Sequence, residues 1–403
     1  MRAELKLKAA GGLCRRLAWG FCFLLAGQWL WSAESTFRPG ERWLDTDGKF
    51  INAHGGGILF HAGVYYWYGE LKEGPTYVTE ANKSWGGTRV INGGVSCYSS
   101  TNLYDWKNQG VALAPVPDDP ANDLHPEKIL ERPKVIFNAR TQKFVMWFHQ
   151  DSPNYAAARS GVAVSDTPTG PFKYLGSFRP NAGVWPLNAT EADRQPSPEN
   201  KVARDFQAGQ MARDMTLFVD DDGKAYQFYA SEENATLQVS QLTDDYLKPA
   251  GHYARILIGR SSEAPAVFKH QGKYYLIASG CTGWAPNTAR SAVADHIFGP
   301  WTELGNPCRG PDAEKTFYGQ STFVLPVAGQ PGVLIAMFDR WKQWNLEDSR
   351  YLWLPLHFEN GKPIVDWLDQ WKLTVHSPST GVRVTGPSRP QSLRGQFAAL
   401  NGA

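Results

Sequence analysis

Four polar residues hold comparable places along this chain: Glu131, Asp214, Glu263 and Gln320. Glu131 opens Glu-Arg-Pro-Lys-Val-Ile-Phe, and Glu263 opens Glu-Ala-Pro-Ala-Val-Phe-Lys. Asp214 sits in Arg-Asp-Met-Thr-Leu-Phe-Val, and Gln320 in Gly-Gln-Ser-Thr-Phe-Val. Each lies just ahead of an apolar run. Brought together, such groups could split a glycosidic bond. One carboxylic acid must stay protonated near neutral pH to protonate the departing oxygen. A neighbouring carboxylate raises its pKa by like-charge repulsion. A third group positions water. Glu263 reads as the acid and Asp214 as its partner. A single acid of this kind could equally cap a strand or pair with Arg132 or Arg213. Four at matching places on successive repeats favour shared chemistry.

The elements that position them repeat. Gly57–Tyr68, Val135–Trp147, Leu217–Tyr229, Val267–Ala278 and Phe323–Met337 each read as an apolar run, a Gly-, Asn- or Asp-containing turn and an aromatic strand. That is the pattern of a β-hairpin. Five such hairpins predict an all-β fold, a five-bladed β-propeller with one blade per repeat. A propeller gathers the first strand of every blade around one axis, so the four polar residues converge on one central pocket. Third strands are expected in Gly94-Val-Ser-Cys-Tyr-Ser-Ser, Gly161-Val-Ala-Val-Ser-Asp, Leu237-Gln-Val-Ser-Gln-Leu and Ser291-Ala-Val-Ala-Asp. Two near-identical turns, Pro168-Thr-Gly-Pro-Phe and Ile297-Phe-Gly-Pro-Trp, strengthen the repeat. The longer segments 73–93 and 180–210 are expected to form a pocket rim or lid.

Composition narrows the partner. A net charge of +2 over 403 residues argues against nucleic acid and against electrostatic capture by membranes. The 16 Trp, 16 Tyr and 20 Phe suit sugar binding, because a pyranose face stacks on aromatic rings. An oligo- or polysaccharide substrate and a monomer are expected. Residues 1–33 read as a secretory signal peptide, basic at Arg2, Lys6, Lys8, Arg15 and Arg16, apolar from Leu17 to Trp31, with small residues at Ser32-Ala33. An uncleaved anchor is the alternative. Cleavage makes the protein secreted or periplasmic. Residues 34–375 read as the propeller, one domain, and 376–403 as a mobile tail. Cys97, Cys281 and Cys308 remain after the leader, an odd number that leaves at least one without an intramolecular partner. A Cys281–Cys308 bridge is compatible with an oxidising compartment. No His/Cys spacing resembles a metal site, and no cofactor is required. Asp220-Asp221-Asp222-Gly223 fits a hairpin turn better than a calcium loop. A calcium ion on the propeller axis is compatible with the fold, although no motif asks for it.

A set of motifs carries a family resemblance: Ala53-His-Gly-Gly-Gly-Ile, Tyr65-Tyr-Trp-Tyr-Gly-Glu, Glu131-Arg-Pro-Lys-Val, Arg213-Asp-Met, Asp220-Asp-Asp-Gly-Lys-Ala-Tyr, Glu263-Ala-Pro-Ala, Ser279-Gly-Cys-Thr-Gly-Trp, Gln320-Ser-Thr and Asp348-Ser-Arg-Tyr. Over about residues 40 to 370 the chain resembles glycoside hydrolase family 43, and more narrowly its exo-β-1,3-galactanase (galactan 1,3-β-galactosidase) branch. The resemblance implies a five-bladed propeller and an inverting hydrolase releasing galactose from β-1,3-galactan. The family's usual first-blade Asp, its general base, is replaced here by Ala53-His54-Gly55-Gly56. The galactanase branch lacks it too, and there a Gln at the position of Gln320 is thought to take its place. An amide could do so only by orienting water or as its imidic tautomer. Glu131 is the rival for that role. Tyr155, Asn234 and Thr282 match binding positions of the branch. Trp284 is expected as a stacking platform, and Arg132 and Arg350 as forks for hydroxyls. Trp341 is expected to pack. Two alternatives remain at this point: an α-L-arabinofuranosidase or β-xylosidase of the same family, and a sugar-binding propeller without activity.

Overall fold

The middle strands of the chain are apolar on both faces. Val145 to Phe148, for example, are all buried, as a strand pressed between two neighbouring sheets requires. A computed structural model, which describes residues 35–373, arranges them as a five-bladed β-propeller. Its described residues from Thr36 onward form one compact unit. The leader 1–33 and the tail 376–403 lie outside the described residues.

Each blade is an antiparallel sheet whose first four strands follow chain order from the axis outward. Blade 1 comprises His54–His61, Val64–Glu70, Val95–Ser100 and Lys107–Leu113. Blade 2 comprises Ile129–Asn138, Lys143–Asp151, Arg159–Ser165 and Lys173–Phe178. Blade 3 comprises Met215–Val219, Ala225–Ser231, Thr236–Leu242 and Pro249–Ile256. Blade 4 comprises Ser262–His270, Lys273–Gly280, Arg290–Ala294 and Thr302–Gly305. Blade 5 comprises Gln320–Pro326, Leu334–Arg340, Arg350–Glu359 and Lys362–Asp366, with Cys308–Arg309 added in parallel at its outer edge. Inner strands contact their neighbours in sequence, and that of blade 5 contacts that of blade 1, closing the ring. The five hairpins and the third strands expected from sequence fall at these places. The two matching turns both hold cis peptides, Gly170-Pro171 and Gly299-Pro300.

The seam between blades 5 and 1 is packed with aromatics. Phe37 stacks on Trp371 with centroids 4.3 Å apart, and Trp67 meets Trp353 at 4.8 Å and Trp106 at 5.3 Å. Phe37 also bridges to Trp371 through the backbone, fastening the first described segment to the last.

The inner strands of blades 1, 2 and 4 open with the same irregularity. Their registers slip between His54 and Gly57, between Glu131 and Lys134, and between Glu263 and Ala266. Such a bulge re-aims a side chain and ends regular pairing. In each, the second residue is left-handed: Gly55 (φ 61°), Arg132 (φ 56°) and Ala264 (φ 53°). A non-glycine held there costs roughly 1–3 kcal/mol, and a carboxylate on an adjacent element answers each one. The N–H of Gly55 donates to Asp339 Oδ2 (2.6 Å), that of Arg132 to Glu70 Oε1 (2.9 Å), and that of Ala264 to Asp214 Oδ2 (3.1 Å). In blade 1 glycine is also needed for space, since a Cβ on Gly56 would lie 1.7 Å from the Tyr68 carbonyl oxygen.

The two long segments part ways. Segment 73–93 forms a small ribbon, Tyr77–Val78 with Thr88–Arg89, around the 3-10 turn Glu80–Trp85, and Trp85 reaches the central cavity. Segment 180–210 does not reach it, contrary to the expectation of a rim or lid. It lies against the outer strand of blade 3, where Leu187 N–H donates to the Tyr253 carbonyl and Arg255 pairs with Asp193. Arg255, fixed also by both oxygens of Glu232, draws the segment away from the axis.

Candidate active site

A cavity of about 740 Å³ opens at the axial end where the inner strands begin. The bulges of blades 2 and 4 deliver Glu131 and Glu263 to it. Asp214 stands one residue before the inner strand of blade 3, and Gln320 begins that of blade 5. All four of the residues singled out by spacing line this one cavity.

Glu263 is half-buried in the cavity wall. Its Oε1 accepts from Asn234 Nδ2 (2.7 Å) and from the Cys281 thiol (3.2 Å). Burial first, then the negative charge of Asp214, push its carboxyl up to about 7. A carboxylic acid with that pKa can hold a proton near neutrality. Asp214 is itself fixed: its Oδ2 takes the Arg132 guanidinium at 2.9 Å as well as the Ala264 N–H. It pairs with Arg132 from blade 2 and not with its chain neighbour Arg213.

Glu131 has the opposite surroundings. Tyr155 O–H donates to its Oε1 (2.8 Å), and His149 Nδ1 to its Oε2 (3.1 Å). Burial would raise its pKa, but the His149 hydrogen bond and charge, with Lys72 and Tyr155, outweigh it and bring the carboxyl down to about 2. His149 lies between Glu131 and Asp151, whose Oδ2 is 2.9 Å from Nε2. Burial opposes charging the ring, yet the two carboxylates push it up to about 9. The ring is therefore an imidazolium that donates from both nitrogens. Glu131, His149 and Asp214 bring ligand-type atoms within 4.8 Å of one another. His149 Nδ1 is engaged with Glu131 and Asp214 Oδ2 with Arg132, so a metal ion there would have to displace both contacts.

Gln320 is held on both sides of its amide. Its Oε1 accepts from Arg132 (2.5 Å) and from Trp341 Nε1 (3.1 Å), and its Nε2 donates to Ser279 Oγ (3.0 Å). Guanidinium and indole are donors only. The amide therefore cannot be flipped, and its carbonyl oxygen is already occupied twice.

The remaining expected residues separate into two groups. Tyr155, Arg132, Asn234, Thr282 and Trp284 line the cavity. Arg132 is committed to Asp214 and Gln320, and Asn234 reaches Glu263. Trp284 stands edge-on to Trp341, centroids 6.1 Å apart. Asn234 Oδ1, Trp284 Nε1 and Arg213 Nε are buried without a hydrogen-bond partner. Arg350 does not line the cavity. It binds Asp348, through that residue's carboxylate and its carbonyl oxygen (2.6 Å). Among the described residues the cysteines form no bridge: Cys97 and Cys308 are buried free thiols, and Cys281 is an exposed one. The Asp220–Gly223 stretch is a hairpin turn, closed by Gly223 N–H to the Asp220 carbonyl and tied to Lys269.

Several residues of the site escaped the sequence reading. Trp341, expected only to pack, holds Gln320. His149, Asp151, Glu70, Lys72 and Asp339 are buried charged or titratable groups at or just past the ends of second strands. Polar residues at the close of an apolar strand, as in Phe148-His-Gln-Asp, were the signal. The first-blade slot holds His54, at the place of Glu131 and Glu263. Its ring is buried and stacked on Tyr351 (4.8 Å), with Nδ1 3.3 Å from Asp339. The Trp341 ring lies 5.5 Å away, and His54 does not line the cavity.

Comparison with known proteins agrees with this architecture. The profile of Glycosyl hydrolases family 43 matches residues 65–325. A family-43 β-1,3-galactosidase solved with galactodeoxynojirimycin is 48% identical with a TM-score of 0.76, covering 83% of this chain and 99% of its own. An exo-β-1,3-galactanase from Phanerochaete chrysosporium, solved as a variant with β-1,3-galactotriose, is 35% identical with a TM-score of 0.69, covering 85% and 69%. An exo-β-1,3-galactanase from Clostridium thermocellum is 38% identical with a TM-score of 0.69, covering 84% and 67%. No curated protein sequence matches the chain. With the family profile spanning more than half of the chain, and a solved member 48% identical over nearly its whole length, this protein belongs to glycosyl hydrolase family 43.

Proposed function

We propose that this glycosidase is exo-acting on β-1,3-linked galactan, such as the main chain of arabinogalactan, and releases galactose with inversion. The observation that carries the chemistry is the divergence of Glu263 and Glu131, one held up to about 7 and the other down to about 2 in the same cavity. The substrate rests on the β-1,3-galactosidase and exo-β-1,3-galactanases named above. Glu263 gives its proton to the glycosidic oxygen as the bond from C1 to that oxygen breaks. Water attacks C1 from the opposite face and loses a proton to Glu131, so a β-linkage yields α-galactose. Asp214 keeps Glu263 protonated by its charge. Gln320, its carbonyl already taken by Arg132 and Trp341, has only an N–H to spare. It can fix the water, while Glu131, ionised, accepts the proton. Trp284, Asn234 and Arg213, which line the cavity, bind the sugar. The basic and then apolar start of the chain supports export, to the periplasm or the exterior, as a monomer. No helix of the described residues is long and apolar enough to cross a membrane.

The test is product release from β-1,3-galactobiose and arabinogalactan beside aryl arabinofuranoside and aryl xyloside. Galactose from the first pair alone supports the reading. Cleavage of the pentosides moves the protein to the family's pentosidases, and binding without turnover makes it a sugar-binding propeller. Azide separates the two candidates for the base. Glu131→Ala should regain turnover with azide and form α-galactosyl azide. Rescue of Gln320→Ala instead would return the role to Gln320.

A further inference from the structure

Cys281 lies at the start of the loop that follows the second strand of blade 4, with its thiol exposed to the cavity. It is held there by the backbone, its N–H donating to the Ser261 carbonyl. The thiol points at Glu263 Oε1 (3.2 Å), and Asn234 Nδ2 points at the same oxygen (2.7 Å). The two donors also approach each other, Nδ2 to Sγ 3.7 Å. Asn234 reaches this place from a left-handed turn after the second strand of blade 3 (φ 65°). Two loops from two blades thus aim one donor each at a single atom.

A protonated carboxyl group has one acceptor oxygen and one that carries hydrogen. An oxygen facing two donors must be the acceptor. We propose that Cys281, with Asn234, is a positioning residue that confines the catalytic proton of Glu263 to Oε2, the oxygen turned toward the scissile bond. This rests on Glu263 being the acid of the reading above. Cys281 touches no reacting atom and acts through Glu263 alone.

The thiol also tunes when the proton leaves. Four titratable or charged groups act on Glu263: Asp214 and Glu131 hold its proton, while Arg132 and the Cys281 thiol ease its release. The thiol itself is pushed up to about 12, by burial first and then by Glu263, so it remains a donor throughout the working range. Removing it therefore raises the Glu263 pKa, and the alkaline limb of activity moves to higher pH. Serine keeps a donor in its place.

The experiment follows the carboxyl directly. Infrared difference titration of the protonated-carboxyl stretch, blanked with Glu263→Gln, reads the acid without any substrate. Cys281→Ala should shift its midpoint upward by roughly half to one pH unit, the worth of one ordinary hydrogen bond. Cys281→Ser should leave the midpoint within a few tenths of a unit or lower it. The alkaline limb of kcat/KM should move with the midpoint, and kcat should fall in the alanine variant with KM little changed. An unmoved midpoint in Cys281→Ala, or equal shifts in both variants, would overturn the proposal. Because the titration needs no sugar, an error in the galactan reading would appear as missing turnover with the midpoints still displaced.

Discussion

Glu131 and Glu263 occupy one position in two blades. Both stand at a bulge near the start of an inner strand, both precede a left-handed residue and then a proline, and both face the same cavity. Their carboxyls are pushed in opposite directions. In blade 2 an imidazolium and a phenol stabilise the carboxylate, and in blade 4 burial and a second carboxylate stabilise the acid. The repeat fixes where a carboxyl stands, and its neighbours fix which partner in proton transfer it becomes. Blade 1 shows the third outcome of the same bulge. There His54 is folded under Trp341 against Tyr351 and Asp339, and the slot leaves the chemistry.

Each substitution that exchanges these surroundings tests the contrast. The largest effect belongs to Glu263→Gln, which keeps the shape and removes the proton. Turnover of β-1,3-galactobiose should fall by roughly 10²–10⁴, while equilibrium binding of galactose stays near wild type by calorimetry. Next is Asp214→Asn, which takes away the charge that helps hold the Glu263 proton. The Glu263 pKa falls, the alkaline limb of kcat/KM moves to lower pH, and neutral activity drops on the order of 10-fold or more. His149→Asn strikes the other blade. Without the cation the Glu131 pKa rises from about 2, so the acid limb, where Glu131 must be ionised, moves to higher pH by about 1–3 units. It also leaves Asp151 buried without its partner, and thermal unfolding should register a loss of roughly 3–5 kcal/mol. The smallest effect is expected at Arg350→Ala. Its partner Asp348 does not line the cavity, so kcat/KM should change less than about 2-fold, and the loss of this largely buried pair should cost stability about 1–3 kcal/mol.

The sequence made the propeller readable because each hairpin carries its own local signal. Phe-His-Ala-Gly-Val-Tyr and Lys-His-Gln-Gly-Lys-Tyr are turns whatever surrounds them. The four residues of the cavity were readable for the same reason, since each stands within three residues of the start of its inner strand. What surrounds them was not. Nothing local tells that Asn234 reaches Glu263 or that Trp341 holds Gln320, because the first contact joins blades 3 and 4 and the second joins the two ends of a blade-5 hairpin, 21 residues apart. Arg350 failed for the opposite reason. Its place in a motif suggested a fork for hydroxyls, but Asp348, two residues back in that same motif, takes its guanidinium. Segment 180–210 was long enough to be a lid, but its Asp193 and Leu187 bind Arg255 and Tyr253 on the outer strand of blade 3 instead.

The account is tested most directly by the anomer that leaves first. Proton NMR during the opening minutes of β-1,3-galactobiose hydrolysis should show α-galactose ahead of mutarotation, since water enters opposite Glu263. An initial β-galactose signal would mean retention, and would contradict the division of roles between Glu263 and Glu131.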